Sequence, residues 1–345
     1  MRVLILTQAI DTQDPFLSFF HTWARGFSKQ FQQVHIVCLK KGEYDLPANV
    51  TVYSLGKESG KLRLTYIRRF FSLVWTLRNE YDAVFVHQNQ EYMLLGGWLW
   101  KVLGKPAYLW RNHYAGTIWT DIAASFAQKV FCTSRFSYTA KYPKTVLMPV
   151  GIDTDFFRPD HSINRIPSSV LFYARMAPSK NPHILINALE LLAKRGIEFT
   201  ATIRGTPLPK DEGYGNSLKE SVQKKGLTQI HFEPGRPHAE GPAIFSTADI
   251  YVNLGDSGMY DKTIFEAAAC GALVLACSLD YAELVEQDLT FEAGGARDLA
   301  SKLETLLALP ADEKREKASK LRSVVEQKHS LRALTESLAG QMSGH

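Results

Sequence analysis

Arg175 and Lys180 follow closely on the apolar run Ser169–Tyr173. Open α/β sheets bind ligands at the carboxyl ends of their strands, and there a fork-shaped guanidinium beside a point ammonium can neutralise a diphosphate. The competing reading is a solvated helix entry. Asp261 precedes Lys262 and Thr263, so it can cap a helix whose free amides and positive end would face the same anion. Glu266 lies inside the apolar run Ile264-Phe265-Glu266-Ala267-Ala268, where a charge is costly to bury without a hydrogen-bond partner. An internal salt bridge would supply one. Two histidines, His87 in Val86-His87-Gln88-Asn89 and His113 in Trp110-Arg111-Asn112-His113-Tyr114, stand at strand ends and could position or exchange protons. Capping or core-edge histidines would look the same.

Several chemistries are excluded by what is missing. No G-x-G-x-x-G follows Val3–Thr7, where Gln8-Ala9-Ile10-Asp11 stands instead, and there is no G-x-x-x-x-G-K-[ST], H-E-x-x-H or G-x-S-x-G. The four cysteines (Cys38, Cys132, Cys270, Cys277) form no C-x-x-C pair, which argues for buried thiols rather than disulfides or zinc. Asp153-Thr154-Asp155 is literally a D-x-D, a metal-binding spacing. Short acidic side chains in that setting favour local turn bonds, so no metal site is expected.

These residues need a frame. Short β-branched or apolar runs alternate with helical patterns from end to end, the signature of parallel sheets with crossover helices. In the first half the strands are read at Val3–Thr7, Val34–Leu39, Ala83–His87, Ala107–Trp110, Lys129–Cys132 and Thr145–Met148. Helices are read near Phe16–Gln30, Leu62–Arg78 and Glu91–Leu103. The pattern restarts with strands at Ser169–Tyr173, Phe199–Arg204, Gln229–Phe232, Ile250–Asn253 and Leu273–Ala276. The intervening helices are Asn181–Arg195, Ser217–Lys225, Ala239–Thr247 and Lys262–Ala269. With 345 residues the chain is long enough for two doubly wound domains. The expected organisation is a first domain over 1–150, a hinge over 151–167, a second domain over 168–325 and a C-terminal helix over 326–345 that packs back on the first domain. A cleft between two such domains is a usual ligand site. The charge is uneven: up to Val150 there are 18 Lys and Arg against 9 Asp and Glu, and beyond it 22 against 26. That asymmetry points the first half toward an anionic partner rather than the whole protein toward nucleic acid.

Three segments together resemble the GT-B glycosyltransferases, especially family 4. Val130-Phe131-Cys132-Thr133-Ser134 with Val146–Pro149 and Val150-Gly151-Ile152-Asp153-Thr154-Asp155-Phe156-Phe157-Arg158-Pro159 resembles the family's interdomain linker. Tyr173-Ala174-Arg175-Met176 with Lys180 resembles its phosphate motif, and Phe265-Glu266-Ala267-Ala268-Ala269-Cys270-Gly271-Ala272 its E-A-M-A-x-G-x-P. The resemblance implies two Rossmann-like domains facing a central cleft and a retaining, metal-independent transfer of sugar from a nucleoside-diphosphate sugar. No cofactor beyond that donor is implied. Arg175, Lys180 and Glu266 would serve the donor and its departure, Glu266 accepting the ribose hydroxyls. Gly205, Met259, Asp261, Lys262 and Thr263 would complete the donor site. His113, after the strand Ala107–Trp110, matches the family's active-site histidine, while Gln8, Asp11 and His87 fall where the acceptor is bound. One departure matters: the family's first acid of E-x7-E would stand at 258, and this chain has Gly258. Lys262, four residues before Glu266, fits a variant of that pattern.

The segment from Lys61 to Arg78 interleaves Leu62, Leu64, Ile67, Phe70 and Trp75 with Arg63, Arg68 and Arg69. Such a helix can lie on an anionic bilayer or simply bury one face. The longest apolar stretch, Met93 to Gly104, has 12 residues and is too short to span a membrane. A cytoplasmic enzyme that touches the inner membrane face is therefore expected, with a glycan or lipid-linked acceptor and no nucleic acid. The alternative is a binding protein of the same fold that has lost turnover.

Overall fold

The structure is a computed structural model, described over residues 1–14, 17–60 and 62–344. Phe16 of the first expected helix and Lys61, the first residue of the basic segment Lys61–Arg78, lie outside the described residues. The chain forms two compact units, 1–153 with 330–345, and 154–329.

The first unit is built on seven parallel strands: β1 (Arg2–Ile10), β2 (Gln33–Lys41), β3 (Val50–Ser54), β4 (Ala83–His87), β5 (Ala107–Trp110), β6 (Lys129–Cys132) and β7 (Thr145–Leu147). Their order is β3-β2-β1-β4-β5-β6-β7, so the direction of winding reverses between β1 and β4. Helices cover both faces, which is why the central strands are continuous apolar runs. One face packs on α1 (Phe19–Gln30) through Phe20, Trp23 and Phe27; the other carries α2 (Arg63–Thr76), α3 (Gln90–Val102) and α4 (Ile118–Phe126). α1 also packs against the C-terminal helix Leu331–Ser343, whose Leu334, Leu338 and Met342 are buried in the same core. Tyr108 donates to the Met342 carbonyl (3.1 Å), and the Trp23 indole to the Gly151 carbonyl (3.0 Å).

β3 and α4 are absent from the sequence reading for a physical reason. β3 is a half-buried edge strand without a continuous apolar run. α4 turns Thr120, Ala123 and Ala124 inward and leaves Ile118 and Trp119 exposed, so its apolar period is inverted. Its Thr117–Thr120 capping box marks its start instead.

The second unit has five parallel strands: β8 (Ser169–Tyr173), β9 (Thr200–Arg204), β10 (Ile230–Glu233), β11 (Ile250–Asn253) and β12 (Leu273–Ala276), ordered β10-β9-β8-β11-β12. Here the reversal falls between β8 and β11. The helices in chain order are α5 (Pro182–Lys194), α6 (Glu212–Lys224), α7 (Gly241–Thr247), α8 (Lys262–Ala269), the single turn α9 (Leu279–Ala282), α10 (Ala296–Ala308) and α11 (Ala311–Val324). α6 starts at Glu212 rather than Ser217, because Gly213 and Gly215 weaken the helical signal of its first turn. A π-helical turn, Val325–His329, ends the unit, and Leu331–Ser343 follows as α12.

Candidate functional site

At the switch point of the second sheet, the segment after β8 meets the segment after β11. Lys180 Nζ lies 2.7 Å from Asp261 Oδ2, and Asn181 donates to the Leu254 carbonyl (3.3 Å). Asp261 is the N-cap of α8; its Oδ1 accepts from the Thr263 amide (3.4 Å) and hydroxyl (2.9 Å). The Thr263 hydroxyl also meets Tyr251 Oη at 2.7 Å. Burial alone would raise the Asp261 carboxyl, but the Lys180 charge and the hydrogen bonds from Lys180, Thr263 and Asn253 outweigh it and hold it below the ordinary carboxylate range. Asp261 is the cap that the sequence reading expected, and both side chains are engaged within the protein, where they position Lys180 and the start of α8. Lys180 keeps donors beyond the one given to Asp261, since an ammonium has three.

Arg175 lies between β8 and Lys180, half-buried, and its Nε has no hydrogen-bond partner among the described residues. Lys262, the first residue of α8, is half-buried; burial pushes its ammonium down to about 7 against the opposing pull of Glu266 one turn on. Glu266 is buried, and His238 Nε2 lies 3.3 Å from its Oε1. The His238 ring lies edge-on to Phe157 (5.0 Å between centroids).

Gly205, directly after β9, is required by sterics. A Cβ there would stand 1.9 Å from the Ala174 carbonyl oxygen, so only glycine lets the loops after β8 and β9 approach. At 258, where the family carries an acid, the Gly258 amide donates to the buried Asp280 (Oδ2, 2.8 Å). The Leu279 amide in turn donates to Ser257 Oγ (2.8 Å), so the loop that carries the exposed Met259 is strapped to α9.

The first unit treats its candidates differently. Gln8 is not in a loop: β1 runs on to Ile10, pairing with β2 as far as Lys41, while its pairing with β4 ends at Leu6, which leaves Gln8 exposed on a strand. Asp11 is buried and spent on structure, accepting from the Gln13 amide (3.0 Å) and pairing with Lys40 (3.3 Å). Burial opposes its charge, yet those bonds hold its carboxyl below the ordinary range. His87 is 1% exposed, stacked on Phe20 (4.3 Å) with Nδ1 3.1 Å from Thr7 Oγ1. It is a core residue with no surface for an acceptor, because β4 ends beneath the aromatic side of α1. His113 is partly exposed and stacked on Tyr114 (4.5 Å), and its Nδ1 lies 2.9 Å from the Ala115 amide nitrogen and 3.1 Å from the Ala115 carbonyl oxygen, which ties that side of the ring to its own loop and leaves Nε2 as the outward nitrogen.

Of the cysteines, Cys38, Cys132 and Cys270 are buried and Cys277 only partly so; among the described residues none is joined in a disulfide. Among the described residues no set of three His, Cys, Asp or Glu side chains is arranged to hold a metal ion.

Two family models match the chain, Glycosyl transferase 4-like over residues 11–145 and Glycosyl transferases group 1 over 153–322. The chain belongs to the family-4-like GT-B glycosyltransferases. The fold of this glycosyltransferase is shared by Anabaena HepE solved with UDP (TM-score 0.80, 18% identity, all of both chains). It is shared too by sucrose-phosphate synthase from Thermosynechococcus elongatus (TM-score 0.80, 15% identity, 100% of this chain and 98% of that one). In sequence it is 27% identical over 184 residues to the GtfA subunit of the UDP-N-acetylglucosamine–peptide N-acetylglucosaminyltransferase of Streptococcus pneumoniae, covering 50% of this chain and 34% of that relative.

Two residues that the glycosyltransferase's motifs do not announce touch the candidate site, His238 at Glu266 and Asp280 at the Gly258 amide. His238 enters through a 3₁₀ turn, His238–Glu240, ahead of α7, and Asp280 through the one-turn α9. Neither belongs to a spaced pattern. The available signal was each one's place in the segment that follows a strand of the parallel sheet, β10 for His238 and β12 for Asp280.

Proposed function

We propose that the glycosyltransferase moves a hexose from a nucleoside-diphosphate sugar held by its second unit to a hydroxyl of a glycan or lipid-linked acceptor, with retention and without a metal. The observation that carries this reading is the meeting of Lys180 and Asp261 across the second switch point, beside Arg175 and the opening of α8. As the bond between sugar and phosphate breaks, negative charge grows on the diphosphate. Lys180, Arg175, Lys262 and the positive end of α8 stabilise that charge in place, with little reorganisation because Asp261 already holds Lys180 and caps the helix. Glu266, buried and carrying one hydrogen bond from His238 in the protonated or Nε2–H ring, accepts the ribose hydroxyls with its remaining lone pairs. His113 offers its Nε2 to sugar or acceptor groups. Retention and independence of metal are carried from the family resemblance.

UDP is the first nucleotide to try, since HepE was solved with it and the streptococcal relative's name carries UDP-N-acetylglucosamine. The test is the thermal midpoint of the protein with UDP, GDP, ADP, CDP and dTDP, in EDTA and again with magnesium. A ligand at one hundred times its Kd adds about 2.7 kcal/mol. Stabilisation by one nucleotide, equal in EDTA, is expected; a shift only with metal, or none with any nucleotide, would overturn the donor site as assigned.

A further inference from the structure

The three helices on one face of the first sheet carry an apolar surface on their outer sides as well as their inner ones. α2 buries Phe70 and Val74, and Phe70 packs on Tyr92 and Trp100 of α3 (5.8 and 6.2 Å between centroids). α4 closes on α3 where Phe126 lies against Gly97. Each helix therefore has its core face filled, and ordinary solvent-facing sides would be polar. Instead each presents one half-exposed indole: Trp75 on α2 (52%), Trp98 on α3 (51%) and Trp119 on α4 (59%). Around them Leu64, Ile67, Val102 and Ile118 are exposed as well. Exposed indoles and aliphatic side chains repeated on three neighbouring helices point to an interaction surface rather than to scattered surface leucines.

Charge decides the occupant. The cations on these helices and their ends are Arg63, Arg68, Lys101, Arg69, which donates to the Leu55 carbonyl (3.4 Å), and Arg78, whose guanidinium stacks over the Trp75 ring at 4.6 Å. The acids are Glu91 in the first turn of α3 and Asp121, which is taken up by Lys141 at 2.7 Å. Indoles with a wet edge and an apolar body, flanked by arginines, match the boundary between lipid headgroups and acyl chains. We infer that the outer faces of α2, α3 and α4 form a docking surface for an anionic phospholipid bilayer, with Trp75, Trp98 and Trp119 seated at the headgroup boundary. Among the described residues no helix is long and apolar enough to cross a membrane, so the contact lies on the bilayer and not through it. The inference does not depend on the donor reading of the second unit.

The test is co-sedimentation of the full chain with vesicles of phosphatidylcholine alone or mixed with phosphatidylglycerol, read also by quenching of tryptophan fluorescence with bromine-labelled acyl chains. Binding to the anionic vesicles with quenching is expected, weakened about tenfold or more by the triple change Trp75→Ser, Trp98→Ser, Trp119→Ser and by Arg63→Glu with Arg68→Glu. The quenching uses the unaltered chain, so it decides the matter even if the triple variant misfolds. No binding at low salt would overturn the inference, as would equal binding to uncharged vesicles. A dimer in sedimentation equilibrium that the triple variant abolishes, without lipid binding, would assign the patch to a second copy of the chain.

Discussion

At the switch point of the second sheet, between β8 and β11, a lysine, an aspartate, a threonine and a buried tyrosine join in one hydrogen-bonded chain beside Arg175. At the corresponding point of the first sheet, between β1 and β4, Asp11 is consumed by Lys40 and Gln13, and His87 is sealed under Phe20 and Trp23. The same topology offers the same crevice in both units, yet the first unit's cation there, Lys40, is spent on Asp11 and Asp14, while the second brings Arg175 and Lys180 to its strand end. The first unit shows its polar candidate, His113, in a loop two strands away from β1, after β5. The lesson is that a strand end marks where chemistry can be placed, while burial and pairing decide whether it is.

That contrast can be broken experimentally. The largest effect is expected at Arg175 and Lys180: replacing either by Ala should lower transfer about 10² to 10³-fold, as loss of one charge-stabilising donor does elsewhere. Calorimetry should show weaker nucleoside diphosphate binding on an intact fold, and unchanged affinity would remove the pair from the site. His113→Ala should reduce turnover about 10²-fold with donor affinity retained; a fully active variant would leave the first unit without a chemical residue at this loop. Gly205→Ala should cost about 2 to 4 kcal/mol in chemical denaturation, since the loops after β8 and β9 must part to admit a Cβ.

Lys262 sharpens the contrast through protons. With its ammonium near 7 it is largely neutral above that pH, and a bound diphosphate favours the charged form. Binding should therefore take up as much as one proton above pH 7, and affinity should fall about tenfold per pH unit there. Calorimetry in buffers of different ionisation enthalpy reads the uptake directly; none at pH 8 would mean that Lys262 does not face the anion. For stability the sign runs the same way: the unfolded lysine binds a proton between 7 and its ordinary pKa while the native one does not, so this group's contribution rises with pH across that window. The smallest effect is expected at His87→Phe, which keeps an aromatic in the Phe20 stack. Transfer should be unchanged and stability within about 1.5 kcal/mol of the parent, whereas loss of transfer would put chemistry back at the first switch point.

The second unit was readable because its cations follow strands in motif spacing and its helix start carries a capping aspartate. Lys180, Lys262 and Glu266 are assigned to the candidate site by the family resemblance, since type and position alone also fit a solvated helix entry or an internal salt bridge. What stayed hidden was pairing: sequence does not reveal that Asp261 turns inward to Lys180, or that Asp280 reaches the Gly258 amide across 22 positions. In the first unit His87 reads as a strand-end residue, and only the packing of α1 above β4 shows that it is core. α4 was missed because its outward side is the apolar one, the same inversion that makes its surface unusual.

The helix Leu331–Ser343 has a consequence for synthesis. The first unit's core includes Leu334, Leu338 and Met342, which leave the ribosome only after all of residues 154–329. Until then the nascent chain carries α1 with part of its aromatic face uncovered, and the second unit, whose residues are contiguous, can finish first. The usual vectorial order of domain maturation can thus be reversed here, and a chaperone that shields Phe20, Trp23 and Phe27 during translation would meet its client at the amino-terminal unit.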